Sequence, residues 1–296
     1  MKCPRCGFEN AAFAFECERC GVVFSKLNAE AQRRAAPRIE TVRPARERPP
    51  WKILAFGFAG ALIAHSFWLF SLPFSVLKTL FHELGHAVVG WSLGYPALPA
   101  FDFMFGGGLT HYGQFHLAIA LAVAAGLGYL GWRFQRNPRV VGVLAAVVLV
   151  WLIVVTKEWR RETVMAAAGV VFELLFAATF LYMAVAGVGW RMPEIERPLG
   201  ALIAFYVQFD SWVFALRLMR DQDFLAWYQQ GKGGALMNDL EVVALNLKIY
   251  LGMNTTIQSV AKMLFVFSFL PLTIAFWLAL RHERIEAAVE ALVTES

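Results

Sequence analysis

Charge is scarce in this 296-residue chain: Asp, Glu, Lys and Arg together make up 17% of it, against about 25% in a soluble globular domain. So little polar surface cannot cover a chain that is 58% hydrophobic with a mean hydropathy of +0.54. A disordered chain and an ordinary soluble enzyme are both excluded. The scarcity is uneven. Residues 53–77 carry no charge at all, whereas residues 26–52 hold eight basic and three acidic residues and so account for the whole net charge of +5. Cysteine is missing from every position after Cys20. No signal-peptide pattern precedes the first thiol. The expected setting for the thiols is therefore a reducing compartment, where metal binding prevails over disulfides. Neither an internal repeat nor a low-complexity tract is evident.

What is present falls into four segments. Residues 1–25 hold all four cysteines. Residues 26–52 contain Pro37, Pro44, Pro49, Pro50 and six arginines, a composition that reads as a flexible linker. Residues 53–281 are dominated by apolar runs of membrane-spanning length, and residues 282–296 form a C-terminal tail. The runs are 53–77, 79–94, 114–132, 140–156, 163–190, 199–216 and 264–280. They predict an all-α polytopic membrane fold of six to seven transmembrane helices, with Pro73 ending the first. Residues 95–113, rich in Gly and Pro, and residues 217–260 are long enough to hold structure outside the bilayer or at its edge. The basic linker abuts the first span, which predicts a cytoplasmic N-terminus.

The first segment reads CPRCG, ten residues, then CERCG. Each Cys-x-x-Cys turn brings two thiolates to one ion, and Gly7 and Gly21 permit the tight turn after each pair. Cys3, Cys6, Cys17 and Cys20 therefore predict a closed structural zinc site. About 25 residues cannot fold on so small a core, so the metal supplies most of the folding energy. The segment resembles a small zinc ribbon. Such a module suits contact with a cytoplasmic protein partner. Nucleic acid is not expected, because the neighbouring arginines already have a role in membrane orientation.

Residues 81–90 read FHELGHAVVG. On a helix His82 and His86 point from one face, with Glu83 beside the first. In this arrangement two imidazoles bind zinc and the Glu acts as general base. The run around it is apolar, where ionisable groups are costly and by default functional.

With FHELGHAVVGWSLGYP, the chain resembles the intramembrane zinc metalloproteases of the site-2 protease class. The resemblance is specific at the motif and loose over residues 53–280. It implies a zinc-dependent endopeptidase that hydrolyses peptide bonds in membrane-spanning segments of other proteins, with one catalytic zinc in addition to the structural one. Catalytic zinc needs a third protein ligand. The family's usual Asn-x-x-Pro … Asp-Gly motif is absent, and three carboxylates compete: Asp239 in MNDLEVVALNL, Glu173 in GVVFELLFAA and Asp210 in VQFDSWVF. Glu173 can equally orient a zinc-bound His, and Asp239 can equally serve a helix N-terminus. The resemblance also implies a Gly-rich loop bordering the site, here Gly106, Gly107 and Gly108, followed by His111 as an oxyanion contact or a plain loop residue. His65, His116 and His282 have no motif around them. The rival readings are a catalytically inert membrane scaffold or receptor, whose ribbon binds a cytoplasmic partner, and, more weakly, a metal transporter.

Overall fold

The computed structural model describes residues 2–3, 5–11, 14–24, 50–102, 107–230 and 237–294. The chain divides into two units, Met1–Glu47 and Arg48–Ser296. Most of the linker expected at 26–52 lies outside the described residues, although its last three belong to the first helix of the second unit.

Among its described residues, the first unit shows two copies of one turn. Cys3 N–H donates to the Phe8 carbonyl at 2.8 Å, and Cys17 N–H to the Val22 carbonyl at 2.9 Å; Gly7 N–H donates to Cys3 and Gly21 N–H to Cys17, at 2.9 and 2.8 Å. Gly7 and Gly21 both take positive φ, 73° and 67°, a conformation that favours glycine. Bridges Lys2↔Glu9 and Glu16↔Val23 close the copies. No internal repeat was expected, yet CPRCG and CERCG fold as equivalent turns.

The second unit is built from α1 (Pro50–Ser66), α2 (Trp68–Ser92), α3 (Leu117–Arg133), α4 (Pro138–Val155), α5 (Glu158–Ala186), α6 (Pro193–Arg220), α7 (Gln222–Gln230), α8 (Asp239–Leu251), α9 (Ile257–Phe267), α10 (Phe269–Leu280) and α11 (His282–Thr294). The all-α expectation needs one correction. Within the segment 95–113 lies an antiparallel hairpin of β1 (Ala97–Asp102) and β2 (Gly107–Tyr112), in register Leu98↔His111 and Phe101↔Gly108. The hairpin packs on α2. That tertiary support lets a Gly- and Pro-rich stretch pair as strands, and it is invisible to local propensity.

Among the described residues, four helical stretches are long and apolar enough to cross a membrane: Pro138–Val155, Glu158–Ala186, Pro193–Arg220 and Ile257–Leu280. The pair α1 and α2 makes a fifth if counted as one span, but it is bent by 106°. Six to seven were expected, and two features account for the difference. The run 114–132 yields a helix of only 17 residues. The first two runs were divided at Lys78, with Pro73 expected to end the first helix, whereas the break falls at Phe67, whose backbone is extended. Pro73 lies in the second turn of α2, where a missing N–H removes a single early bond rather than breaking a formed helix. Ser66 Oγ–H donates to the Leu62 carbonyl at 2.8 Å, a local bond that competes with helix continuation.

α5 is the central helix and packs against α2, α6, α8 and α10. Six of its eleven buried residues are Ala or Gly, among them Ala166, Ala168, Gly169, Ala177 and Ala184, which lets helix backbones approach closely. α4 has no buried residue. Its Val143, Leu149 and Val150 are 60–66% exposed, an apolar surface suited to hydrocarbon. The expected tail is helical as α11, and its first residue, His282, meets the Tyr182 hydroxyl at 2.7 Å through Nδ1.

Candidate metal centres

In the first unit the four thiols converge. Cys3 and Cys20 sulfurs are 3.7 Å apart, and Cys6 and Cys17 sulfurs 3.5 Å. Four Cys–metal bonds of about 2.3 Å at tetrahedral angles separate sulfurs by about 3.8 Å, so this donor set fits one ion. Burial raises the Cys17 thiol, but the backbone N–H groups of Cys20 and Arg19, then Cys6 and Asn10, pull it down to about 6. The Val22 N–H favours a thiolate at Cys20, yet burial and the three neighbouring sulfurs push it up to about 12. The four sulfurs could all ionise together only with a cation between them. Asn10, which is buried, places its Nδ2 3.6 Å from the Cys17 sulfur, a partner that sequence reading did not identify.

The second cluster is built on α2. Helical spacing puts His82 and His86 on one face, with their Nε2 atoms 3.0 Å apart. Asp239 Oδ2 lies 2.9 Å from Nε2 of His82 and 3.2 Å from Nε2 of His86. Bonds of about 2.0–2.2 Å at tetrahedral angles would set such atoms about 3.3–3.6 Å apart. The triangle therefore needs to open by only a few tenths of an ångström to hold an ion. The other ring nitrogens are also engaged: Nδ1 of His82 lies 2.6 Å from Glu173 Oε1, and Nδ1 of His86 2.7 Å from the Met165 carbonyl. Outer partners of this kind fix the tautomer and orientation of ligating imidazoles. Gly169 completes the cradle. A Cβ there would stand 2.5 Å from His82 Nε2 and 2.6 Å from His86 Nε2, so the ring nitrogens occupy space that any other residue would fill.

Asp239 reaches this point because of how α8 begins. Asn238 is its N-cap, in a capping box with Glu241, and the Asn238 amide also donates to the Tyr228 carbonyl. Asp239 thus occupies the first turn of a helix and meets both imidazoles at once, so a place at the helix N-terminus does not keep it from the histidines. Burial alone would raise its carboxyl, but the hydrogen bonds with His82 and His86 hold it well below the usual carboxylate range. The other two carboxylates stand elsewhere. Glu173 is on the far side of His82, and Asp210 pairs with Lys78 at 2.5 Å.

Glu83 is buried beside the cluster. Thr110 Oγ1–H lies 2.6 Å from Glu83 Oε2 and 3.1 Å from the Glu83 carbonyl. Gly108 lies against it: a Cβ there would sit 2.5 Å from Glu83 Oε1. Strand alternation puts Gly108, Thr110 and Tyr112 on one face of β2 and leaves Gly107, Leu109 and His111 on the other. His111 is exposed, as is Gly107, whose Cβ direction is open, and Gly106 lies outside the described residues. The Gly-rich loop is therefore in part a strand, and Thr110 rather than His111 contacts Glu83. Burial, then the carboxylates of Asp239 and Glu83, push the Tyr112 phenol above its usual range. A cavity of about 950 Å³ joins these groups, lined by His82, Glu83, His86, Tyr112 and Asp239, and His111 also lines it.

Sequence reading missed Lys78, Thr110, Gly169 and Asn238. For Lys78 there was a signal: a lysine one turn before His82, lost because it fell between two runs drawn as separate spans. Compared with protein-family models, curated proteins and solved structures, the chain matches none.

Proposed function

We propose that this chain is a zinc-dependent intramembrane endopeptidase acting on membrane-spanning segments of other proteins. The observation that carries the reading is the meeting of His82, His86 and Asp239 beside Glu83, in a cavity among apolar helices. Bound at that point, zinc supplies Lewis acidity, which brings a water's pKa to about 7 and polarises a carbonyl oxygen. The chain's own residues do the rest. Glu173 and the Met165 carbonyl accept from the Nδ1 atoms, so both imidazoles offer Nε2 lone pairs. Glu83 takes a proton as the water oxygen adds to the peptide carbonyl carbon, and delivers it to the nitrogen as the C–N bond breaks. Thr110 donates to Oε2 of Glu83, leaving Oε1 to carry the proton. A substrate helix hides its carbonyls in its own hydrogen bonds and must unwind locally to enter.

In the same reading a second, structural zinc is held by Cys3, Cys6, Cys17 and Cys20, and the bound ion folds the first unit. The basic residues that precede α1 in the sequence support a cytoplasmic N-terminus and attraction to the anionic inner leaflet. Phe15, 89% exposed, offers apolar surface to a cytoplasmic protein partner.

The test is Glu83→Gln in proteoliposomes with single-span reporter proteins. Cleavage is expected to vanish while two zinc ions per chain remain. Full cleavage by this variant would end the proposal. One zinc per chain, lost with Cys17→Ser, would favour the membrane scaffold instead.

A further inference from the structure

Lys78 stands on α2 one helical turn before His82, on the same face. Its side chain is only 17% exposed. Nζ lies 2.5 Å from Asp210 Oδ2 on α6 and 3.5 Å from Glu173 Oε2 on α5. The remaining oxygen of Glu173, Oε1, is the one 2.6 Å from His82 Nδ1. One buried carboxylate is thus shared between a cation and an imidazole.

We propose that Lys78 is a positioning residue for the His82–His86–Asp239 cluster, acting through Glu173, with Asp210 as its second anchor. The physical argument is orientational. A carboxylate held by one contact can swing about its terminal torsion, which is broad, and a buried charge without a cation is costly. Lys78 fixes Oε2 and so fixes where Oε1 faces. The imidazole of His82 then has one orientation, with Nε2 toward Asp239. Asp210, the more exposed carboxylate at 32%, keeps Lys78 in place from the opposite helix. Helix α2 is tied to α5 and α6 by this chain of contacts, which ends at a ring nitrogen of His82. The bland alternative is that Lys78 only neutralises Asp210.

This inference rests on the reading of the histidine cluster as a metal site, and the experiment separates the two. The probe is Co²⁺, titrated into the full-length chain in detergent. The thiolate-to-cobalt bands of the cysteine quartet serve as an internal reference, and the ligand-field bands of the other site report the affinity in question. Lys78→Met is expected to weaken binding at the histidine cluster by about tenfold or more, the low end of what lost outer partners cost, with the thiolate bands unchanged. The charge-neutral double variant Lys78→Met/Asp210→Asn is expected to keep that loss, and Asp210→Asn alone to show less than a threefold change. Wild-type affinity in the double variant would overturn the proposal, since Lys78 would then serve only Asp210. So would wild-type affinity in Lys78→Met. Should Lys78→Met not fold, the double variant carries the test alone. A wild-type chain that binds cobalt only through thiolates would instead defeat the reading of the histidine cluster.

Discussion

The two donor clusters of this protein are assembled in opposite ways. Cys3 and Cys20 are 17 positions apart, and each pair of thiols is brought together by a single glycine-ended turn. His82 and Asp239 are 157 positions apart, and their meeting depends on α2, α5 and α8 packing correctly. On the proposed reading the metal makes the fold in the first case, and in the second the fold makes the metal site. The first cluster should therefore fail as a folding unit when a donor is lost. The second should lose its ion and keep its architecture.

The largest expected effect is at the cysteines. Binding to a four-thiolate site supplies about 10–16 kcal/mol at neutral pH, which is folding energy in a unit this small. Cys17→Ser should remove one metal per chain and abolish the ordered amide signals of residues 2–24, as read by elemental analysis and NMR. Retained order in that segment without metal would erase the contrast. Asp239→Ala comes next. It should remove the other metal, with an affinity loss beyond the about 10–100-fold that an outer partner costs. Far-UV circular dichroism should be nearly unchanged, because Asn238 and Glu241 still cap α8.

Gly169→Ala lies between architecture and site. Its methyl would have to displace both imidazoles. Overpacking of this kind costs about 1–3 kcal/mol. A lower melting temperature is expected, together with weaker metal binding at the histidine cluster and none at the thiols. A variant that melts lower but binds as before would mean that the rings can shift without losing the ion.

These differences also explain what the sequence disclosed. The quartet was legible because local spacing determines the turn. His82, Glu83 and His86 were legible because helical periodicity places i and i+4 together. Among the three competing carboxylates no local rule could decide, since the choice depends on which helix crosses where. The same holds for Gly169, which looks like any small residue of an apolar span until the rings above it are seen. The hairpin was hidden because its strands draw their support from α2. Periodicity within β2 separates His111 from Thr110, but it can be applied only once a strand is recognised. The expected six to seven spans exceed the four or five candidate helices among the described residues for a related reason: apolar runs report burial in lipid or protein alike, and they do not record the bend at Phe67.

The smallest predicted effect tests how far architecture tunes the site. Asn238 caps α8 and donates to the Tyr228 carbonyl, so it sets both the start of the helix and its distance from α7. Asn238→Ala removes a cap worth about 1 kcal/mol. If the position of Asp239 depends on that cap, the whole cost can appear in metal affinity, which is a factor of about five. Glu241 loses its reciprocal partner but keeps its bond to the backbone N–H of residue 238, so the helix should persist with a frayed first turn. The expected result is a severalfold weaker histidine cluster, a slightly lower melting temperature and an unaltered cysteine site. Unchanged affinity would mean that His82 and His86 hold Asp239 by themselves. The second cluster would then be less dependent on distant architecture than its sequence separation implies.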